Sequence, residues 1–173
     1  MRVKIRLIRR SVTSHCRTIA IVAIVLARAP LPVAQDVRVG DVAFPNSGSP
    51  AAQGSFLHGL AQLHNFEYDD AARAFRSAQQ IDPDFAMAYW GEAMTKNHPV
   101  WMEQDLGAAR RVLDRLGGSR EARIAKGRTE RERAYLAAVE ALYGAGDKNA
   151  RDIAYLDVMA STGTLSPEPL TKP

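Results

Sequence analysis

The stretch GLAQLHNFEYDDAARAFRSAQQIDP, Gly59–Pro83, decides the fold. Ala71, Ala74, Phe75 and Ala78 fall on one stripe of a helix with 3.6 residues per turn. Alanines let a paired helix approach closely, and the one large ring fills the space between layers. Ile81 is expected to close the stripe. Asp82-Pro83 ends the helix, because proline biases its predecessor away from helical angles. Asp69 and Asp70 sit in the first turn, where acids suit the helix dipole. The pattern is a helix hairpin, which presents a surface rather than a reaction centre.

Upstream, Ser49-Pro50 opens a first helix, with Ser as N-cap and Pro at the first helical position. Phe56, Leu57, Leu60 and Leu63 share one face of it, and it ends near His64–Phe66. A second helix starts at about Tyr68. The third spans Asp84 to about Lys96 and carries Phe85, Ala88, Tyr89, Trp90, Ala93 and Met94, enough large apolar groups to need neighbours on several sides. Asn97-His98-Pro99 breaks it. A fourth runs from about Glu103 to Leu116 and stops at Gly117-Gly118.

This second hairpin repeats the first. Ala71, Phe75 and Ala78 recur as Ala109, Leu113 and Leu116, a displacement about four residues beyond a usual repeat of about 34. Asn97–Trp101 (NHPVW) supplies the extra length. Further on, Arg120–Ala125 predicts a short helix, and Thr129-Glu130-Arg131-Glu132 is a capping box. It opens a helix with Tyr135, Leu136, Val139 and Leu142 on one face. After the Gly144-Ala145-Gly146 turn, a last helix from about Asn149 carries Ile153, Leu156 and Met159.

The two ends read differently. Residues 1–34 have the three parts of a secretory signal: basic MRVKIRLIRR, apolar Thr18–Ala27, and small residues in ARAPLPVAQD. Cleavage is expected after Ala34; Ala27-Arg28-Ala29 is the other candidate triplet, with Pro30 hindering a cut. An uncleaved anchor is the alternative, though the apolar run is short of the roughly 20 residues a span needs. Arg9-Arg10 also invites a twin-arginine reading. Residues 35–48 read as a linker and 161–173 as a disordered tail. The expected location is periplasmic or secreted.

Charge follows from the leader. Seven of the 23 Lys and Arg residues lie in residues 1–34 with no acid, so the remainder holds fewer basic residues than the 19 acidic ones. That excludes a general basic face for nucleic acid. The one cysteine, Cys16, is also in the leader, leaving no disulfide and no thiolate site.

The stretches FLHGLAQLHNFEYDDAARAF and IDPDFAMAYWGEAMTKNHPVW, with ERAYLAAVEALYG and KNARDIAY beyond them, resemble secreted bacterial tetratricopeptide repeat (TPR) proteins over roughly Gly54–Tyr155. The repeat signature is Gly59, Tyr68, Ala71, Phe75, Ala78 and Pro83. The resemblance implies an all-α fold of antiparallel helix pairs stacked as a short right-handed TPR-like solenoid. It implies no defined biochemical activity. Members of the family continue with further repeats beyond the point where this chain departs, at about Leu156–Ser161, so the chain reads as a truncated or frameshifted member. A last helix without a following repeat exposes apolar residues and invites self-association.

The expected function is a non-enzymatic scaffold for a protein or peptide in the cell envelope, with no cofactor, no nucleic acid and no membrane after signal removal. Gln62, Glu92, Thr95 and Lys96 would line the recognition face, with Trp101 as an anchor; Tyr89 and Trp90 read as groove or core. The alternative is a metal-binding or metal-assisted hydrolytic protein using His64, Glu92 and His98, residue types that suit zinc. His58 and His64 are roughly 120° apart around a helix, which argues against a preformed site. The stretch Arg120–Arg133 mixes signs and reads as a solvated surface.

Overall fold

A computed structural model describes residues 42–161 and 163. The leader, the first part of the linker and the tail beyond Ser161, Gly163 apart, lie outside the described residues. Among the described residues there are seven α-helices: α1 (Pro50–His64), α2 (Tyr68–Ile81), α3 (Ala86–Met94), α4 (Leu106–Leu116), α5 (Arg120–Ala125), α6 (Glu130–Leu142) and α7 (Lys148–Ser161). Two short strands, β1 (Asn97–His98) and β2 (Glu103–Gln104), flank a 3-10 turn at Pro99–Trp101. The chain is therefore mostly helical, built from packed helix pairs: α1 on α2, α3 on α4, and α6 on α7. Helix α3 sits centrally, touching α1, α2, α4 and α6.

The stripe logic holds where it was strongest. Ala71, Phe75 and Ala78 are fully buried, and so are Ala109 and Leu113 at the equivalent places on α4. Phe75 lies between Gly59 of α1 and Gly91 of α3; an added Cβ would stand 3.0 Å from its ring at Gly59 and closer still at Gly91. Glycine is required there by the approach of the ring, not by backbone conformation. Phe56, Phe85 and Met87 complete the core between the first two pairs. Phe56 and Phe85 have ring centroids 4.8 Å apart.

Ser49 holds the N-cap position of α1 without a side-chain cap bond, and α2 and α3 have none either; α4 and α6 start on side-chain caps. The Asp105 carboxylate accepts from Ala108 N–H at 2.8 Å to start α4. Thr129 and Glu132 form the reciprocal capping box of α6. Tyr143, just past α6, donates its hydroxyl to Ala93 O at 2.7 Å and ties the third pair to α3.

Several expectations need correction. Helix α3 is shorter than Asp84–Lys96, and α4 starts at Leu106 because Glu103–Gln104 pairs with Asn97–His98 instead. Ile81 is exposed rather than closing the stripe. It is ten residues beyond Ala71, which turns it roughly 80° away around the helix. The described part of the linker, residues 42–48, has no regular structure but is packed. Phe44 stacks on Trp90 at 6.0 Å and lies 5.7 Å from Phe56 and 5.6 Å from Tyr135. A single aromatic side chain without periodicity carries no signal in sequence, yet it meets the first helix of all three pairs.

Candidate functional site

Two turns at one end of the helix pairs build the site. The first follows α1. Glu67 N–H donates to Gln62 O at 2.9 Å and Phe66 N–H to Leu63 O at 3.2 Å. This is a Schellman termination, whose left-handed residue is usually glycine. Here that residue is Phe66, at φ 64°. The second turn joins α3 to α4. In it Asn97 pairs with Gln104 and His98 with Glu103, and Met102 adopts φ 55°.

The turns bring four rings together. Tyr68 and His98 are stacked, with centroids 3.9 Å apart and planes 22° apart. Trp101 stands nearly perpendicular to both, at 79° to Tyr68 and 81° to His98. Phe66 meets Trp101 edge-on at 6.1 Å. His98 Nε2–H donates to Thr95 O at 3.1 Å, and its Nδ1 lies 3.7 Å from a Glu103 oxygen. The result is a right-angled aromatic corner. Its apolar rim is open to solvent: Phe66 is 52%, Trp101 56%, Val100 66% and Met102 71% exposed.

A groove of about 690 Å³ runs beside the corner, floored by Tyr68, Thr95 and His98. Its charged lining is one-sided. Glu67, Asp69, Glu103 and Asp105 face it, against Lys96. Burial pushes the Tyr68 hydroxyl pKa up.

The sequence candidates divide. Lys96 lines the groove, and Trp101 is exposed beside it, in contact with Phe66, Tyr68 and His98 rather than in the groove lining. Thr95 lines it but is almost fully buried, its hydroxyl donating to Glu92 O at 2.7 Å. Gln62 is buried. Glu92 is not on an open face: it is 2% exposed. Its carboxylate accepts from Gln79 Nε2 at 2.7 Å, from Arg76 at 3.0 Å and from Arg115. A polar residue on α3 is read as surface from sequence because the two guanidiniums that neutralise it come from other helices.

The proposed metal set is likewise not brought together. Glu92 is engaged by the two arginines, His98 by Tyr68 and Thr95, and His64 is exposed. Among the described residues no three His, Cys, Asp or Glu side chains form a group able to hold a metal ion. Tyr89 and Trp90 are core residues.

Arg123 lay unrecognised in a stretch read as a solvated surface. It is buried, donating to Glu140 through Nε at 2.5 Å and through a terminal nitrogen at 2.9 Å. The other terminal nitrogen donates to Gly117 O at 3.0 Å and Asp114 at 3.2 Å. The hydrogen bonds to Glu140 raise its pKa, and burial offsets only part of that. Phe66 was missed too: left-handed backbone at a bulky residue has no sequence signature.

The chain matches no family model, no curated protein and no solved structure. Among the described residues no helix is long and apolar enough to cross a membrane.

Proposed function

We propose that the chain is a non-enzymatic, TPR-like scaffold of the cell envelope that binds an extended protein or peptide segment at the turn end of its helix pairs. One observation carries the reading. Phe66 and Met102 both hold left-handed backbone, and both leave large apolar side chains in water. Left-handed backbone costs a bulky residue roughly 1–2 kcal/mol, and side chains more than half exposed return little burial energy. A residue that breaks two local rules at once points to a task outside folding. Exposed aromatic anchors beside a groove are what a binding surface needs.

The packing of residues 42–48 supports the same reading. An irregular segment, anchored by Phe44, is held against α1, α3 and α6. The helix pairs thus already hold one irregular segment of the chain itself.

The reading includes self-association through α7. Ile153 and Leu156, one turn apart, are exposed on α7, the last helix among the described residues. A second copy offers the same two residues in return, as a two-fold contact requires.

The test is a peptide array spanning acidic, neutral and basic sequences, probed with the intact chain and with Trp101→Ala. Binding of a peptide class that Trp101→Ala abolishes supports the reading. No binding to any class, or binding unaltered by Trp101→Ala, overturns it. Sedimentation across a concentration series reports on α7: a dimer lost in Ile153→Ser/Leu156→Ser supports the contact, and a monomer at every concentration removes it.

A further inference from the structure

We propose that the segment bound at the turns presents a lysine or arginine side chain, which enters the groove against the aromatic corner. This rests on the peptide-binding reading and adds the chemistry of the occupant. Three features of the groove agree on it.

The first is electrostatic. Glu67, Asp69 and Glu103 are exposed at the groove, and Asp105 adds a fourth carboxylate, while among the described residues Lys96 is the one lysine or arginine lining it. A concave wall of one sign concentrates ligands of the other. The second is the ring geometry. A ring face attracts a cation within about 6 Å of its centroid. Phe66, Tyr68 and His98 line the groove, with Trp101 edge-on to all three, so ring surface lies within reach of a side-chain head group there. The third is shape. At about 690 Å³ the groove has room for a long side chain and flanking backbone. The aliphatic stem of lysine or arginine lies along Phe66 and Tyr68 while its charge reaches the carboxylates.

Glutamate or aspartate in the same place meets four carboxylates and is repelled. A purely apolar side chain gains the rings but leaves the carboxylates without a counter-charge. The groove therefore discriminates by charge, through both attraction and repulsion.

The experiment uses the indole N–H resonances of the full 15N-labelled chain, of which there are two, from Trp90 and Trp101. Three blocked Gly-Ser host peptides are titrated, with a central Arg-Arg, Gln-Gln or Glu-Glu pair. The Arg-Arg peptide is expected to move the Trp101 resonance and leave buried Trp90 still. Its affinity should fall about 10-fold in Glu67→Gln/Asp69→Asn/Glu103→Gln and weaken with added salt. These three side chains are exposed; Glu67 is the N-cap residue of α2 but makes no side-chain cap bond, and Asp70 remains in the first turn, so the variant is expected to fold, which its unchanged Trp90 resonance checks. Equal movement of Trp101 by Gln-Gln or Glu-Glu peptides overturns the charge inference and leaves peptide binding standing. No movement with any peptide overturns both.

Discussion

The ring of Phe75 lies so close to Gly91 that a Cβ added there would stand 2.5 Å from its Cζ. Phe75 belongs to α2 and Gly91 to α3, so this approach sets the distance between the first two helix pairs. Phe75 is completely buried and has no room to yield. Gly91→Ala is expected to destabilise the chain by about 1–3 kcal/mol, despite the helix propensity of alanine. Gly59→Ala, whose Cβ would stand 3.0 Å from the same ring, is expected to cost less. Urea unfolding of both variants checks the order.

That relationship shows what was legible. Ala71, Phe75 and Ala78 announce a buried stripe because small and large residues alternate at helical spacing, and all three are buried. Their repetition at Ala109, Leu113 and Leu116 placed α4, and the extra length fell at Asn97–Trp101, where β1 and the 3-10 turn lie. The site was less legible. Trp101 was found as a large ring in a turn. Phe66 was not, because its place in the corner depends on left-handed backbone. Glu92 was misplaced, because Arg76 and Arg115 approach it from α2 and α4.

Arg123 and Glu140 form a pair in which both side chains are buried. Removing Arg123 leaves buried Glu140 with only Arg110, 3.7 Å away, as a counter-charge among the described residues. Arg123→Ala is expected to cost about 3–5 kcal/mol, whereas Arg123→Met combined with Glu140→Leu should recover most of that loss. Thermal unfolding of the single and double variants measures the difference.

Tyr143 links alkaline pH to stability. Its hydroxyl is buried against Ala93 O, and burial pushes its pKa far above the ordinary tyrosine value. In the unfolded chain it ionises near pH 10. Above that, the unfolded state binds fewer protons than the folded one, so stability present below about pH 10 is lost as pH rises. Tyr155 and Tyr89, also raised by burial, act in the same direction. The urea midpoint should fall from pH 9 to pH 11, and fall less in Tyr143→Phe. That variant should be about 1 kcal/mol less stable at neutral pH.

Phe44 holds residues 42–48 in place, with the Arg131 guanidinium 4.9 Å from its ring centroid. Ser47 N–H and Oγ–H both donate to Glu132, at 2.6 and 2.8 Å. Phe44→Ala is expected to cost about 1–3 kcal/mol. It should also release the Ser47 amide to faster hydrogen exchange while the amides of α2 stay protected.

Phe66 and Met102 decide whether the exposed corner serves binding or folding. The most direct measurement is urea unfolding of the Phe66→Gly/Met102→Gly variant. Glycine relieves the left-handed backbone, and the lost side chains are more than half exposed. The variant is predicted to be as stable as the natural chain, or up to about 1 kcal/mol more stable. A loss of about 3 kcal/mol or more, as for a core truncation, would show these residues to be part of the folding core and contradict the account.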